Sequence, residues 1–159
     1  MDQKVLSKWL KVIILGVGLC GLIVYGLVIP AYGRSLVARY PEFSNRFVPW
    51  LLFLLATGVP CYAVLVLGWR IADTIGADRS FIPENGSRLT WISRLAAGDA
   101  GFLFTGNVVL LLLNMSHPGV FLGLLVIVFL GIAVAVAAAC LSHLVQKAAA
   151  LQEQSDLTI

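Results

Sequence analysis

The stretch from residue 100 to residue 146, AGFLFTGNVVLLLLNMSHPGVFLGLLVIVFLGIAVAVAAACLSHLVQ, decides the fold of this chain. It contains no Lys, Arg, Asp or Glu, whereas a soluble sequence of this length carries about a dozen charged residues. The stretch is too long for one membrane crossing and suits two crossings of about 20 residues each. Residues 114–119, NMSHPG, have the composition of a turn. The stretch therefore predicts two transmembrane helices joined by a tight turn.

The composition of the whole chain is typical of an integral membrane protein. Of its 159 residues, 60% are hydrophobic and 12% are charged, and the mean hydropathy is +0.95. The charged fraction is about half of that in soluble domains. In water such a chain would expose more apolar surface than it could bury, whereas lipid solvates that surface. We expect a single membrane domain over residues 1–159.

Two further uncharged segments precede this pair of crossings. The four predicted spans are approximately residues 12–30, 47–69, 95–114 and 119–143, with a polar loop at 70–94 and a tail at 147–159. Pro30 is expected to end the first span and residues 31–46 to form a polar connection, because proline lacks the N–H that continues a helix. A cleaved signal peptide is the alternative for the first segment. Its apolar run exceeds the core of about 7–15 residues found in signal peptides, which favours a membrane anchor.

Prolines and glycines also predict local structure. The segment from Tyr40 to Phe43 is expected to be an extended or turn piece, because Pro41 biases Tyr40 away from the helical region. Pro60, inside the second span, predicts a kink. Gly76 predicts the end of the second helix, and Pro83 predicts the start of the next helix, since proline suits the first helical turn. We expect that helix to run without interruption into the third span.

Side chains spaced four residues apart predict contacts along and between helices. Glu84 and Arg88 stand in the favourable order for an ion pair on one helix face. The first span is rich in glycine, and small residues let two helix backbones approach closely in lipid. We therefore expect the first span to pack against protein as well as lipid. Close packing is also expected along two stripes of small residues, Ala97–Gly101–Thr105 on the third helix and Gly131–Ala135–Ala139 on the fourth.

The distribution of positive charge predicts the orientation. Eight Lys and Arg residues fall in the N-terminus, loop 70–94 and the tail, against three in residues 31–46 and none in the turn at 114–119. The side with more positive charge normally faces the cytoplasm. We expect an all-α polytopic protein of four antiparallel transmembrane helices with both termini cytoplasmic. The four tryptophans are expected at the membrane interfaces, namely Trp9, Trp50, Trp69 and Trp91.

Polar groups inside the spans are costly in lipid and often mark function. Asp99 is the one charged residue within a predicted span; it indicates a proton or cation site, or else an interfacial carboxylate that reaches Arg94, Arg70 or water. Asn107 lies near mid-membrane, where a hydrogen bond between helices would explain it. Tyr62 needs a partner for its hydroxyl, and Asp99 at a similar depth is the candidate.

The sequence contains no motif of an enzyme, a cofactor site or a metal site. The two histidines, His117 and His143, lie at opposite ends of the last span and lack a Ser, Asp or Cys partner at a recognisable spacing. The cysteines lie in three different apolar segments without metal-ligand spacing. We expect these thiols, Cys20, Cys61 and Cys140, to act as buried apolar side chains. No signature of nucleic-acid binding appears, so we expect a non-enzymatic protein with no cofactor.

Three short motifs carry a resemblance to a known family. They are Tyr40-Pro41-Glu42-Phe43, the loop segment from Ser80 to Asn85 (SFIPEN) and the ending from Asp156 to Ile159 (DLTI). With these motifs the chain resembles the small bacterial membrane proteins of domain-of-unknown-function family 2975. The resemblance implies four transmembrane helices and a bacterial inner membrane. Members are often encoded beside a small helix-turn-helix regulator, which implies a membrane partner for a transcription factor.

We therefore expect a regulatory or binding protein whose partners are membrane lipid and a cytoplasmic protein, without direct nucleic-acid contact. Two alternatives stay open: a small transporter or ion-pathway component that uses Asp99 and Asn107, and a structural or lipid-binding subunit of a larger complex. The glycine-rich first helix also leaves a homo-oligomer open. The expected docking residues lie in loop 70–94 and the tail: Phe81, Pro83, Glu84, Asn85, Arg88, Asp156, Leu157, Thr158 and Ile159.

Overall fold

The structure, a computed structural model, describes residues 2–156, and helices make up nearly all of this part of the chain. Residues 2–156 form five α-helices, together with a π-helical turn at Val24–Val28 and a 3₁₀ helix at Pro41–Arg46. The α-helices are α1 (Gln3–Ile23), α2 (Ile29–Arg39), α3 (Phe47–Gly76), α4 (Pro83–Leu112) and α5 (Pro118–Asp156). The described residues contain no strand.

Four helical segments are long and apolar enough to cross a membrane: Gln3–Arg39, Pro41–Gly76, Pro83–Leu112 and Pro118–Ser155. The prediction of an all-helical chain with four helices able to cross a membrane is therefore confirmed. The helices extend well beyond the predicted spans of about 20 residues. A helix of 30 residues is about 45 Å long, which exceeds the hydrocarbon thickness of about 30 Å. The charged ends of α3 and α4 therefore continue the helices outside the apolar layer.

The prediction that Pro30 ends the first helix is wrong. The π-helical turn leads directly into α2, which continues to Arg39, so residues 31–39 are helical rather than a loose connection. In the π turn the Ile29 N–H donates to the Val24 carbonyl, five residues back. This wider turn lies where the ring of Pro30 would otherwise meet the carbonyl of Gly26. Pro30 then occupies the first turn of α2, where its missing N–H is tolerated.

The helix boundaries at residues 76 and 83 agree with the predictions. The α3 helix ends at Gly76 and α4 begins at Pro83. Tyr40 is non-helical, with φ −131° and ψ 82°, and the 3₁₀ helix Pro41–Arg46 follows it. The chain reverses after α3 at Asp78, which has a positive φ of 59°. The Arg79 N–H bonds to the Thr74 carbonyl and the Asp78 N–H to the Ile75 carbonyl, the two hydrogen bonds of a Schellman motif.

The same motif ends α4, two residues earlier than predicted. The last helical residue is Leu112, and Asn114 has a positive φ of 52°. The Met115 N–H donates to the Leu110 carbonyl, and the Asn114 N–H donates to the Leu111 carbonyl. Asn tolerates the left-handed conformation better than most residues. The tight turn predicted from 114–119 is therefore present, and the His117 Nδ1 accepts the Gly119 N–H at the start of α5.

Helix α3 packs on both α1 and α4, and α5 packs mainly on α4. On α1, the space that a Cβ at Gly21 would need is occupied by the Tyr62 hydroxyl, and Gly18 lies against Leu65. The expectation that the glycine-rich helix packs against protein is confirmed for these two positions. Two other glycines of the predicted first span, Gly16 and Gly26, face open space.

Of the two predicted stripes of small residues, one lies at a helix interface. On α5, Gly131 approaches Ala100 of α4 and Ala135 is buried, whereas the third residue of the stripe, Ala139, is exposed. On α4 the predicted stripe is wrong, because Ala97, Gly101 and Thr105 are exposed, and a Cβ at Gly101 would meet no atom within 4 Å. The close approaches of α4 occur instead at Gly86 against Gln146 and at Gly106 against Phe53.

The main apolar core lies in the half of the molecule that contains the α4–α5 turn. Trp50 is at its centre, only 8% exposed, and it packs with Leu54, Leu103 and Leu124. Trp50 is buried between helices because Gly33, which has no side chain, leaves room for the Trp50 and Phe47 rings. Trp9 and Trp91 are exposed, at 62% and 53%. The position of the four tryptophans at the membrane interfaces stays a prediction.

Candidate functional site: a polar cleft and a fixed loop

A cleft of 490 Å³ lies between the helices and is lined by residues of α1, the π turn, α3, α4 and α5. It is open on one side, since α1 packs on α3 and α5 on α4 without an extensive α1–α5 contact in the described chain. Most of its lining is aliphatic, and Asp99 is the one charged residue among the residues that line it. A second cavity of 510 Å³ adjoins it and shares Tyr25 and Leu103. Together the two cavities form an apolar slot, and a group of polar side chains lies at one depth within it.

That polar group consists of four side chains. The Cys61 thiol lies 3.7 Å from Asp99 Oδ2 and 3.8 Å from the Tyr25 hydroxyl. The Tyr25 hydroxyl is 2.9 Å from Thr57 Oγ1. Thr57 in turn donates to the Leu54 carbonyl at 2.7 Å. The second carboxylate oxygen of Asp99, Oδ1, is shielded from solvent and has no hydrogen-bond partner in the described chain.

Local structure on two helices brings these side chains together. Thr57 and Cys61 are four residues apart and therefore share one face of α3. Tyr25 lies in the π-helical turn, a feature that often occurs at functional sites. Its ring lies beside Gly58, where an added Cβ would be 3.5 Å from the ring. The small residue on α3 thus gives the tyrosine access to the face that carries Thr57 and Cys61.

The predicted partners of Asp99 are not the ones observed. The Tyr62 hydroxyl donates to the Gly18 carbonyl at 2.8 Å, so the expected Tyr62–Asp99 hydrogen bond is replaced by a bond to backbone. Among the described residues, the salt bridge that forms joins Lys11 to Asp73. Neither Arg70 nor Arg94 pairs with Asp99. The side chain is directed into the cleft, toward Cys61, rather than toward the arginines at the end of the span.

Asn107 lies apart from this cleft. Its side chain is fully buried, and its amide donates to the Phe121 carbonyl of α5 at 3.1 Å. This hydrogen bond between α4 and α5 is the kind of contact that the sequence predicts for Asn107. Asp99 contacts α3 while Asn107 contacts α5, so the structure does not bring together the two residues of the predicted ion pathway.

The three cysteines are exposed on the helix surfaces, which corrects the expectation of buried thiols. Cys20 and Cys61 both line the cleft, whereas Cys140 does not. Cys61 differs from the other two because it lies beside the Asp99 carboxylate. No group of three or more His, Cys, Asp or Glu in the described chain could hold a metal ion.

The predicted docking surface divides into exposed and buried residues. Phe81 is 54% exposed, and its neighbours Pro83 and Glu84 are exposed too. Asn85 is only 1% exposed and belongs to the interior. The tail residues Leu157, Thr158 and Ile159 lie outside the described residues, and α5 ends at Asp156.

Asn85 fixes the loop between α3 and α4. Its amide donates to the Arg79 and Ser80 carbonyls at 3.4 and 3.0 Å, and its oxygen accepts from Thr74 and Arg88 at 3.0 and 2.9 Å. The Arg88 guanidinium also donates to the carbonyl of residue 70. The predicted Glu84–Arg88 ion pair is therefore absent from the described contacts, because Arg88 is turned toward Asn85. Phe81 is thus an exposed aromatic side chain on a loop of fixed conformation.

Comparison with known proteins agrees with the motifs. Residues 31–159, most of the chain, match a family described as "Protein of unknown function (DUF2975)". The chain belongs to this family. No match was found among curated proteins or among solved structures.

The DUF2975 match includes Thr57, Cys61 and Asp99 but begins after Tyr25. Three members of the polar group were missed by the sequence analysis, namely Tyr25, Thr57 and Cys61. The four-residue spacing of Thr57 and Cys61 in an apolar span is a signal that could have found two of them. Tyr25 carries no comparable signal, because its position depends on the π turn.

Proposed function

We propose that this DUF2975 protein is a non-enzymatic protein of the bacterial inner membrane that docks a cytoplasmic protein, with a helix-turn-helix regulator as the expected partner. In this proposal the four helices form an antiparallel bundle, and both termini and loop 70–94 face the cytoplasm. The excess of Lys and Arg at that end supports the orientation. Contacts between opposite helix ends, such as Ser7 with Ala72 and Gly86 with Ser142, support the antiparallel arrangement.

One observation carries the docking proposal: the exposed Phe81 side chain stands on a loop that Asn85 holds in place. Aromatic residues are enriched at protein interfaces. A loop that is already ordered loses little conformational entropy when a partner binds. Pro83 and Glu84 extend the exposed surface beside Phe81.

Site-specific photocrosslinking in cells tests this proposal. A photoreactive amino acid at position 81 is expected to form adducts with a soluble helix-turn-helix protein. The matched control is position 129, where Phe129 is 69% exposed on an apolar part of α5; it is expected to yield lipid adducts. The Phe81→Ala variant should then lose co-purification of the partner, while Phe129→Ala retains it. Lipid or self adducts alone at position 81 would refute the proposal.

A further inference from the structure

We propose that the cleft beside Asp99 binds a small lipophilic amine, whose ammonium group pairs with the Asp99 carboxylate while its apolar part occupies the slot. This inference concerns a different part of the molecule from the docking surface and does not depend on it. It rests on three observations: the hydrogen-bonding capacity of the polar group formed by Tyr25, Thr57, Cys61 and Asp99, the depth of Asp99 along its helix, and the shape of the cleft.

The hydrogen-bond donors of the polar group are already used. Thr57 donates to the Leu54 carbonyl, so the Tyr25 hydroxyl must donate to Thr57 Oγ1 across their 2.9 Å contact. The Cys61 thiol has one proton to share between Asp99 and Tyr25. What remains is acceptor capacity: a second lone pair on Asp99 Oδ2, the carboxylate oxygen beside Cys61 in the cleft, and a lone pair of the Tyr25 oxygen. A carboxylate accepts only, and an ammonium group donates only.

The depth of Asp99 restricts the source of the cation. Along α4 it lies five residues beyond Arg94, and along α3 Cys61 lies nine residues before Arg70, which places the pair about 7–14 Å from the nearest arginines. A phospholipid amine stays at the headgroup level and does not reach this depth. A second copy of the chain cannot supply the charge either, because residues 12–33, 47–69 and 95–146 contain no Lys or Arg.

The cleft itself suits a small amphiphile. Its volume of 490 Å³ falls within the range of about 300–1,000 Å³ for small-molecule sites, which are mostly apolar with a few convergent polar groups. Aliphatic side chains of four helices line it, among them Val17, Val64, Leu103 and Leu130. The opening between α1 and α5 gives a ligand access from the lipid.

Photoaffinity labelling of the full-length protein in nanodiscs of neutral phospholipid tests the proposal. The probes are a diazirine-bearing phenylbutylamine and the alcohol with the same carbon skeleton. We expect the amine to label cleft residues such as Tyr25 and Cys61, and to be displaced by unlabelled 4-phenylbutylamine. The alcohol should bind more weakly, because it lacks the charge that Asp99 accepts.

The Asp99→Asn variant keeps the shape of the side chain and removes its charge. It should weaken amine binding about tenfold, as expected for loss of one charge-assisted hydrogen bond, and leave alcohol binding unchanged. Retained alcohol binding also shows that the cleft of the variant is folded. Asp73→Asn, which removes the acid paired with Lys11 outside the cleft, should leave the preference for the amine intact.

Three results would overturn the proposal. The first is equal binding of amine and alcohol to the wild-type protein, which would make the cleft a general apolar site. The second is labelling confined to residues outside the cleft. The third is the absence of labelling by either probe, which would indicate that native lipid or a second copy fills the cleft.

Discussion

Gly106 shows how a single residue position controls the contact between α3 and α4. The ring of Phe53 occupies the space that a Cβ at Gly106 would need. We expect Gly106→Ala to lower the free energy of unfolding by about 1–3 kcal/mol, the usual cost of overpacking. Titration with sodium dodecyl sulfate in mixed micelles measures this change.

Gly101 on the same helix is the matched control, because an added Cβ there meets no atom within 4 Å. The Gly101→Ala variant should change the free energy of unfolding by no more than about 0.5 kcal/mol. If both substitutions destabilise the protein equally, Phe53 does not pack against α4 as described. The sequence alone favours the opposite assignment, since Gly101 belongs to the regular stripe and Gly106 does not.

This reversal has a physical cause. Four-residue spacing identifies a face of a helix, but it does not say which helix, if any, lies against that face. On α5 the stripe through Gly131 does meet α4. On α4 the stripe through Gly101 borders a groove on the surface, while the interface uses residues at irregular spacing. Which face is covered depends on the packing of the whole bundle.

At the scale of helices and turns, the sequence predicts where helices end more reliably than whether a helix is interrupted in its interior. Gly76 and Pro83 act through their own backbone chemistry, so the break between α3 and α4 follows from the local sequence. The same reasoning fails at Pro30 because a π turn precedes it and absorbs the disruption. A proline changes one hydrogen bond, whereas the continuation of the helix depends on the neighbouring turns and on packing.

The loop between α3 and α4 depends on Asn85. We expect Asn85→Ala to destabilise the protein by about 1–3 kcal/mol, because Thr74 and the Arg79 and Ser80 carbonyls would lose their partner in a buried setting. The same micelle titration measures the loss. Ser87→Ala, at an exposed position two residues away, should be close to neutral. A neutral Asn85→Ala would show that the loop is held by other contacts.

At the scale of the whole molecule, the apolar segments determine the number of helices, and the sequence shows them directly. The cleft could not be predicted in the same way, because it arises from the order in which four helices pack. Asp99 is recognisable in the sequence as a costly intramembrane charge, but its neighbours Tyr25 and Cys61 come from two other helices. The Asp99 carboxylate was therefore predictable, and its partners were not.

In the proposed topology, four helices cross the membrane, and both termini and loop 70–94 lie on the cytoplasmic side. The most direct test of this topology is labelling of single cysteines by a membrane-impermeant maleimide, in a chain whose three native cysteines are replaced. Exposed serines at both ends of the bundle provide conservative sites, namely Ser44, Ser87 and Ser155. In spheroplasts, Ser44→Cys should react, whereas Ser87→Cys and Ser155→Cys should react only after the membrane is permeabilised. Reaction of Ser87→Cys and Ser155→Cys from opposite sides would contradict the account.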